Sequence, residues 1–171
     1  MPDPALTVHG EEVAYTINLG GAVVPDLIII SPMTRAIQTA INAFSGLIME
    51  VPQKVEVQIW PELREAHDAP CNKGVSRAEI SRKFPQFDFS SCPKEWDHVP
   101  HSTEAAIARA EIVRQRLNTL SETYNNIAVI CHRGFLAFLV QGERFALGGK
   151  LMLVMRIFLT CYRTSLLLVC R

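Results

Sequence analysis

Three residues have the types and placement to do chemistry together: Arg35, Glu65 and His132. Each follows an apolar run that reads as a strand. Arg35 comes after Leu27-Ile-Ile-Ile30, Glu65 after Val55-Glu-Val-Gln-Ile-Trp60, and His132 directly after Ile127-Ala-Val-Ile-Cys131. In an open parallel sheet, ligands bind outside the carboxyl ends of the strands. A guanidinium, a carboxyl group and an imidazole meeting there suit phosphoryl transfer: the cation takes the phosphate charge and the acid protonates a leaving oxygen. Backbone N–H groups at the helix start that follows His132 also favour an anion.

The elements that must position these residues can be read from periodicity. The Ile127 run is apolar without alternation, as expected of a strand covered on both faces of a parallel sheet. Asn125-Asn126 marks the turn before it, and Phe135 to Val140 reads as the helix after it. Ala22 to Ser31 reads as the first clear strand, with Leu27–Ile30 as its β-favouring centre. Ser31 is expected to cap the next helix, with Pro32 at its first position. Met33, Ile37, Ala40, Ile41 and Phe44 make the buried face of that helix. Arg35 falls in its first turn, where a cation opposes the helix dipole. An anion bound at that helix end would explain it.

Further along, Val55 to Trp60 alternates with period two and reads as a strand. A helix is expected from about Ser76 to Lys83, then an irregular stretch and a loop from Cys92 to His101. A loop of that length in a compact domain often covers a site. The longest helix should run from Ser102 to Tyr124, capped by Ser102. Ala106, Ala110, Val113, Leu117, Leu120 and Tyr124 form its core stripe. Arg109, Arg114 and Arg116 read as a solvated face. At the other end of the chain, Thr7 is expected to cap a helix from about Val8 to Leu19, closed by Gly20-Gly21.

The totals set limits. The chain has 171 residues, 49% of them hydrophobic, which suits one domain with a real core over residues 1–171. Basic and acidic residues balance at 17 each, so nothing global points to nucleic acid and any anion site must be local. Five cysteines (71, 92, 131, 161 and 170) are widely spaced without a C-x-x-C. They read as free thiols in a reducing compartment, so a cytoplasmic location is expected. No signal peptide is visible at the polar, turn-forming start. His98-x-x-His101 has no third ligand nearby, so no metal is expected. Residues 141–171 form an atypical apolar tail. Arg156 and Arg163 interrupt it, and each would cost about 2.5–3.5 kcal/mol near a bilayer centre against about 0.3–0.6 gained per Leu or Ile. A membrane span is therefore not expected; a terminal strand ending in Thr160-Cys-Tyr-Arg-Thr-Ser165 is.

Four stretches together resemble the histidine phosphatases, the phosphoglycerate mutase-like superfamily. Ser31-Pro-Met-Thr-Arg-Ala-Ile-Gln-Thr-Ala40 is similar to the family's S-P-x-x-R-A-x-Q-T-A, whose Arg binds phosphate. Glu62-Leu-Arg-Glu65 is similar to the L-x-E segment whose Glu donates a proton. Ile130-Cys-His-Arg-Gly-Phe-Leu136 is similar to a strand followed by x-H-G-G-F-L, whose His is the second pocket histidine. Asp3-Pro-Ala-Leu-Thr7 with Gly10 is similar to D-x-x-L-T-x-x-G. Order and spacing agree from about residue 3 to residue 140.

The resemblance implies a three-layer α/β/α fold with a mostly parallel sheet, of the phosphoglycerate mutase-like kind. It implies hydrolysis of a phosphorylated small molecule through a phosphohistidine, with no metal or other cofactor. Arg35 and His132 would hold the phosphoryl group, and Glu65 would act as the acid. The family's R-H-G, which carries its nucleophilic histidine, lies upstream of D-x-x-L-T. That motif is absent from this sequence. His9-Gly10 does not replace it: Val8 stands where the arginine belongs, and Gly10 already serves the downstream motif. Arg133 also replaces the first Gly after His132. Cys131 does not open a thiolate phosphatase loop, because C-x5-R would need Arg at position 137, where Ala137 stands. Impaired catalysis is expected, with a phosphate-binding pseudo-phosphatase or a truncated gene product as the other readings.

Overall fold

A computed structural model describes residues 1–17, 24–97 and 101–140 in full, together with the backbone of 153–159 and 162–170. In chain order the elements are α1 (Val8–Tyr15), β1 (Leu27–Ile30), α2 (Thr34–Ile48), β2 (Glu56–Ile59), α3 (Arg77–Lys83), α4 (Thr103–Leu120), β3 (Asn126–Cys131), α5 (Arg133–Leu139), β4 (Leu153–Leu159) and β5 (Tyr162–Cys170). Two short 3-10 turns, Pro61–Leu63 and Pro70–Asn72, lie between β2 and α3.

The sheet has the order β2-β1-β3-β5-β4. β1 is parallel to both β2 and β3, β3 is parallel to β5, and only β4 runs antiparallel. The fold is therefore α/β with a mostly parallel sheet. The register pairs Ile30 with Ile59 on one side and with Ile130 on the other, so three strands end level. Asp26 aligns the opposite ends, accepting from the N–H groups of Asn125 and Asn126.

The apolar runs split by the period of two that a strand imposes. Leu27, Ile29, Ile127 and Val129 face one core, with Ala106, Ala110 and Val113 of α4 and Phe135 and Leu136 of α5. Ile28, Ile30, Ala128 and Ile130 face a second core, with Met33, Ile37, Ala40 and Phe44 around α2 and Ile80 of α3. All four residues of β1 are fully buried. That two-sided burial is why β1 and β3 lack polar alternation, and why helices must cover both faces.

Several boundaries differ from the sequence reading. Thr7 does cap α1, accepting from Gly10 N at 3.1 Å, but the helix ends at Tyr15 rather than Leu19. β1 is confined to Leu27–Ile30, and Ser31 does not cap α2, whose N-cap is Met33. α4 starts at the expected Ser102 cap and stops at Leu120. The tail carries two strands rather than one, β4 and β5. The pair His98-x-x-His101 lies partly outside the described residues.

The solvated face expected on α4 is also corrected. Arg109 is buried. Arg114 donates to the carbonyls of Phe138 and Leu139, closing the end of α5. Arg116 lies 3.6 Å over the Trp60 ring and pairs with Glu62. A guanidinium carries several donors on a long apolar stem, so it can reach from a helix side to carbonyls and rings beyond the stripe.

Candidate active site

His132 follows directly on the carboxyl end of β3. The parallel pairing continues one residue past β1, where Ser31 N donates to Ile130 O at 2.9 Å. That places the Ser31 hydroxyl 2.9 Å from His132 Nε2. Ser31 is thus spent on the imidazole rather than on a helix cap. The ring is almost wholly buried, and its Nδ1 has no hydrogen-bond partner. Burial, reinforced by Arg35 and Arg109, holds the imidazole well below the ordinary histidine range. At neutral pH it is uncharged, with its Nδ1 buried and unpaired.

Arg35 stands in the first turn of α2, half-buried. The helix start does hold an anion, but it is the protein's own. Asp3 Oδ1 accepts from Thr34 N at 2.8 Å, and Oδ2 accepts from Thr34 Oγ1 at 2.6 Å. Arg35 instead donates to Cys71 O and to Asn72 Oδ1, both at 3.0 Å. The turn Pro70–Asn72 therefore holds the guanidinium from outside. Burial lowers its proton affinity, while Glu65 and Asp3 act the other way; an arginine stays charged through such a shift.

Glu65 follows the turn Pro61–Leu63 at the end of β2. Its Oε1 accepts from Ala66 N at 2.7 Å, and its Oε2 accepts from Gly134 N at 3.3 Å. Gly134 lies two residues after His132, so this bond ties the end of β2 to the end of β3. A Cβ at Gly134 would sit 2.3 Å from Glu65 Oε1 and 2.3 Å from His67 Nδ1. A side chain there would have to push Glu65 or His67 aside. The exposed His67 ring lies 3.8 Å from Glu65 Oε1.

The three residues read from the sequence therefore come to one edge of the sheet. Ser31, four residues before Arg35, touches His132, and Glu65 touches the residue two after His132. Arg35 feels both Glu65 and His132 electrostatically. A cleft of about 450 Å³ lined by Lys54, Glu56 and Asp88 opens instead beside the amino end of β2, and contains none of the three. Among the described residues no group of three or more His, Cys, Asp or Glu side chains could hold a metal. No described helix is long and apolar enough to cross a membrane.

Sequence reasoning missed Asp3 as the cap of α2, because its partner is 31 residues away. It also missed Arg109, although a signal was there. Arg109 lies at the i+3 position from Ala106 and next to Ala110, on the apolar stripe itself. A charged residue on a buried stripe needs paired acceptors.

The chain belongs to the histidine phosphatase superfamily (branch 1), whose sequence model matches residues 1–156. Over 96 residues it is 29% identical to a probable phosphatase of Schizosaccharomyces pombe, covering 54% of this chain and 44% of that protein. The chain thus spans less than half the length of that relative. Two solved structures share the fold. One is a putative alpha-ribazole-5'-P phosphatase from Escherichia coli, at TM-score 0.53 and 24% identity, covering 80% of this chain and 67% of that one. The other is the alpha-ribazole phosphatase from Shigella flexneri, at TM-score 0.51 and 26% identity, covering 78% and 64%.

Proposed function

We propose that this chain binds a small phosphomonoester at the carboxyl edge of β1, β2 and β3. Arg35 and His132 hold the phosphoryl oxygens, and Glu65 faces the leaving oxygen as proton donor. The observation that carries this reading is the pair of cross-strand contacts, Ser31 to His132 and Glu65 to Gly134. They tie the imidazole and the carboxyl group to neighbouring strand ends, and Arg35, four residues after Ser31, acts on both electrostatically. A neutral His132 suits binding, because its nitrogen can donate to a phosphate oxygen without another fixed charge.

We further propose that turnover through a phosphohistidine is impaired in this chain. Among the other described histidines, His9 and His101 have ionic partners of their own. His9 is exposed on α1, beside Glu12. His101 is buried against Arg64 and Asp97. His67 lies beside Glu65, the group assigned to the leaving oxygen. A pseudo-phosphatase that retains a phosphorylated ligand is the second reading, favoured by the same arrangement.

Calorimetric titration with inorganic phosphate and vanadate tests the site. Binding is expected, and Arg35→Ala should weaken it by about tenfold or more. Alpha-ribazole 5'-phosphate and a generic phosphomonoester are the first substrates to try. Binding without trapped phosphohistidine supports impairment. Turnover that His9→Ala leaves unchanged but His132→Ala abolishes would overturn the assignment of His132 as a binding group. Anion affinity unchanged in Arg35→Ala would sink the site itself.

A further inference from the structure

The turn that carries Glu65 is held by a residue on a different element. Arg109 projects from α4 beneath it. Its Nη1 donates to Glu62 O at 2.7 Å and to Arg64 O at 2.8 Å, and its Nη2 lies 3.4 Å from Glu65 O. These carbonyls lie at the end of the 3-10 turn Pro61–Leu63 and just beyond it, where a helical turn leaves acceptors without internal donors. Arg109 supplies them. The same guanidinium lies 4.7 Å over the ring of Phe135, three residues after His132. One planar group therefore touches the segment that presents Glu65 and the helix that follows His132.

We propose that Arg109 is a positioning residue that sets the Glu65 carboxyl group against the start of α5. This rests on the assignment of Glu65 as proton donor. Three features support it. Arg109 is buried, so its contacts are not a chance of the surface. Its burial lowers its pKa to about 10, still far enough above neutrality for it to remain charged. Its contacts go to backbone carbonyls within the turn and just after it, so they fix the path of the chain rather than one side chain. Glu65 is then oriented from two sides: its main chain by Arg109, and its carboxylate by the N–H groups of Ala66 and Gly134. A lysine could not reproduce this geometry, because an ammonium is a compact point charge without a planar fork.

The role separates from mere support of the fold, because Arg35 is held by the turn Pro70–Asn72 and not by the carbonyls that Arg109 binds. Losing Arg109 should displace Glu65 while the cation that binds phosphate stays in place. The experiment compares full-length wild type with Arg109→Met, and with Arg109→Lys in case the first does not fold. Amide exchange by NMR should show the Ala66 and Gly134 N–H groups losing about tenfold or more of their protection, with β3 and α4 amides unchanged. Vanadate affinity should fall far less than in Arg35→Ala. If wild type turns over phosphomonoesters, the alkyl phosphate rate should fall about a hundredfold relative to the p-nitrophenyl phosphate rate, since only the poor leaving group needs the acid. Ala66 and Gly134 amides that keep wild-type protection in a folded variant overturn the proposal. So does equal loss of protection throughout β3 and α4 in both variants. Failure of wild type to bind vanadate would refute the phosphate site and leave the amide comparison to decide Arg109.

Discussion

Two carboxylates reach the first turns of the two helices that leave the carboxyl edge of the sheet, and their situations differ. Asp3 meets α2 with both oxygens committed to one residue, Thr34. It is almost fully buried, and its backbone sits at φ 43°, a left-handed conformation that Asp tolerates better than most residues. Glu65 meets α5 through a longer bond to Gly134 N, beside an exposed imidazole. The first carboxylate is consumed by one residue of the fold; the second is shared between two backbone N–H groups and borders an exposed imidazole. The same functional group serves as a cap or as a candidate acid according to what else its oxygens must satisfy.

The sharpest way to break this comparison is to remove each carboxylate in turn. Asp3→Ala should cost about 2 kcal/mol of stability in urea denaturation, because it strips the α2 cap and leaves Thr34 N and Oγ1 without acceptors. Glu65→Gln should cost no more than about 1 kcal/mol, since an amide oxygen can still accept one of the two N–H bonds. Any turnover of alkyl phosphates should nevertheless fall about a hundredfold in Glu65→Gln. Equal stability losses in the two variants would erase the distinction.

A smaller effect sharpens it through pH. His132 and His101 both have depressed proton affinity in the folded chain, chiefly from burial. Unfolded, their rings take up protons as pH falls below about 6.5, while the folded rings resist until lower. Their contribution is therefore present above about pH 6.5 and lost progressively below it. Urea midpoints measured from pH 8 to pH 5 should fall on the acid side, and His132→Gln should flatten part of that fall. A midpoint independent of pH below 6.5 would contradict the buried, neutral imidazole.

The smallest test extends the contrast between consumed and available groups to thiols. Cys92 is buried, and burial pushes its thiol up to about 11. Cys71 is exposed in the turn that holds Arg35. Mild alkylation of the folded protein near pH 8 should label Cys71 and spare Cys92, as read by peptide mass spectrometry. Labelling of both at similar rates would show that Cys92 is not sealed in the core.

The parts of the fold legible in the sequence were those written in local periodicity. The unbroken apolar runs Leu27–Ile30 and Ile127–Cys131 specified strands covered on both faces. Thr7 and Ser102 each capped the helix that follows, because a cap is a contact made within three residues. Arg35, Glu65 and His132 were legible as candidates because each stands at or shortly after the end of a strand, and such ends converge in a parallel sheet.

What only the tertiary structure decided was the use made of groups with several possible partners. Ser31 had the right type and place for a cap, yet its hydroxyl went to an imidazole 101 residues away. Asp3 took over at α2 from 31 residues away. Arg109 read as a solvated charge, yet it binds carbonyls more than 40 residues distant. Hydrogen-bond donors and acceptors are satisfied by whatever the packed chain brings within about 3 Å. The sequence by itself therefore determined which elements form and which residues they present; the assembled sheet and helices determined which partners those residues meet.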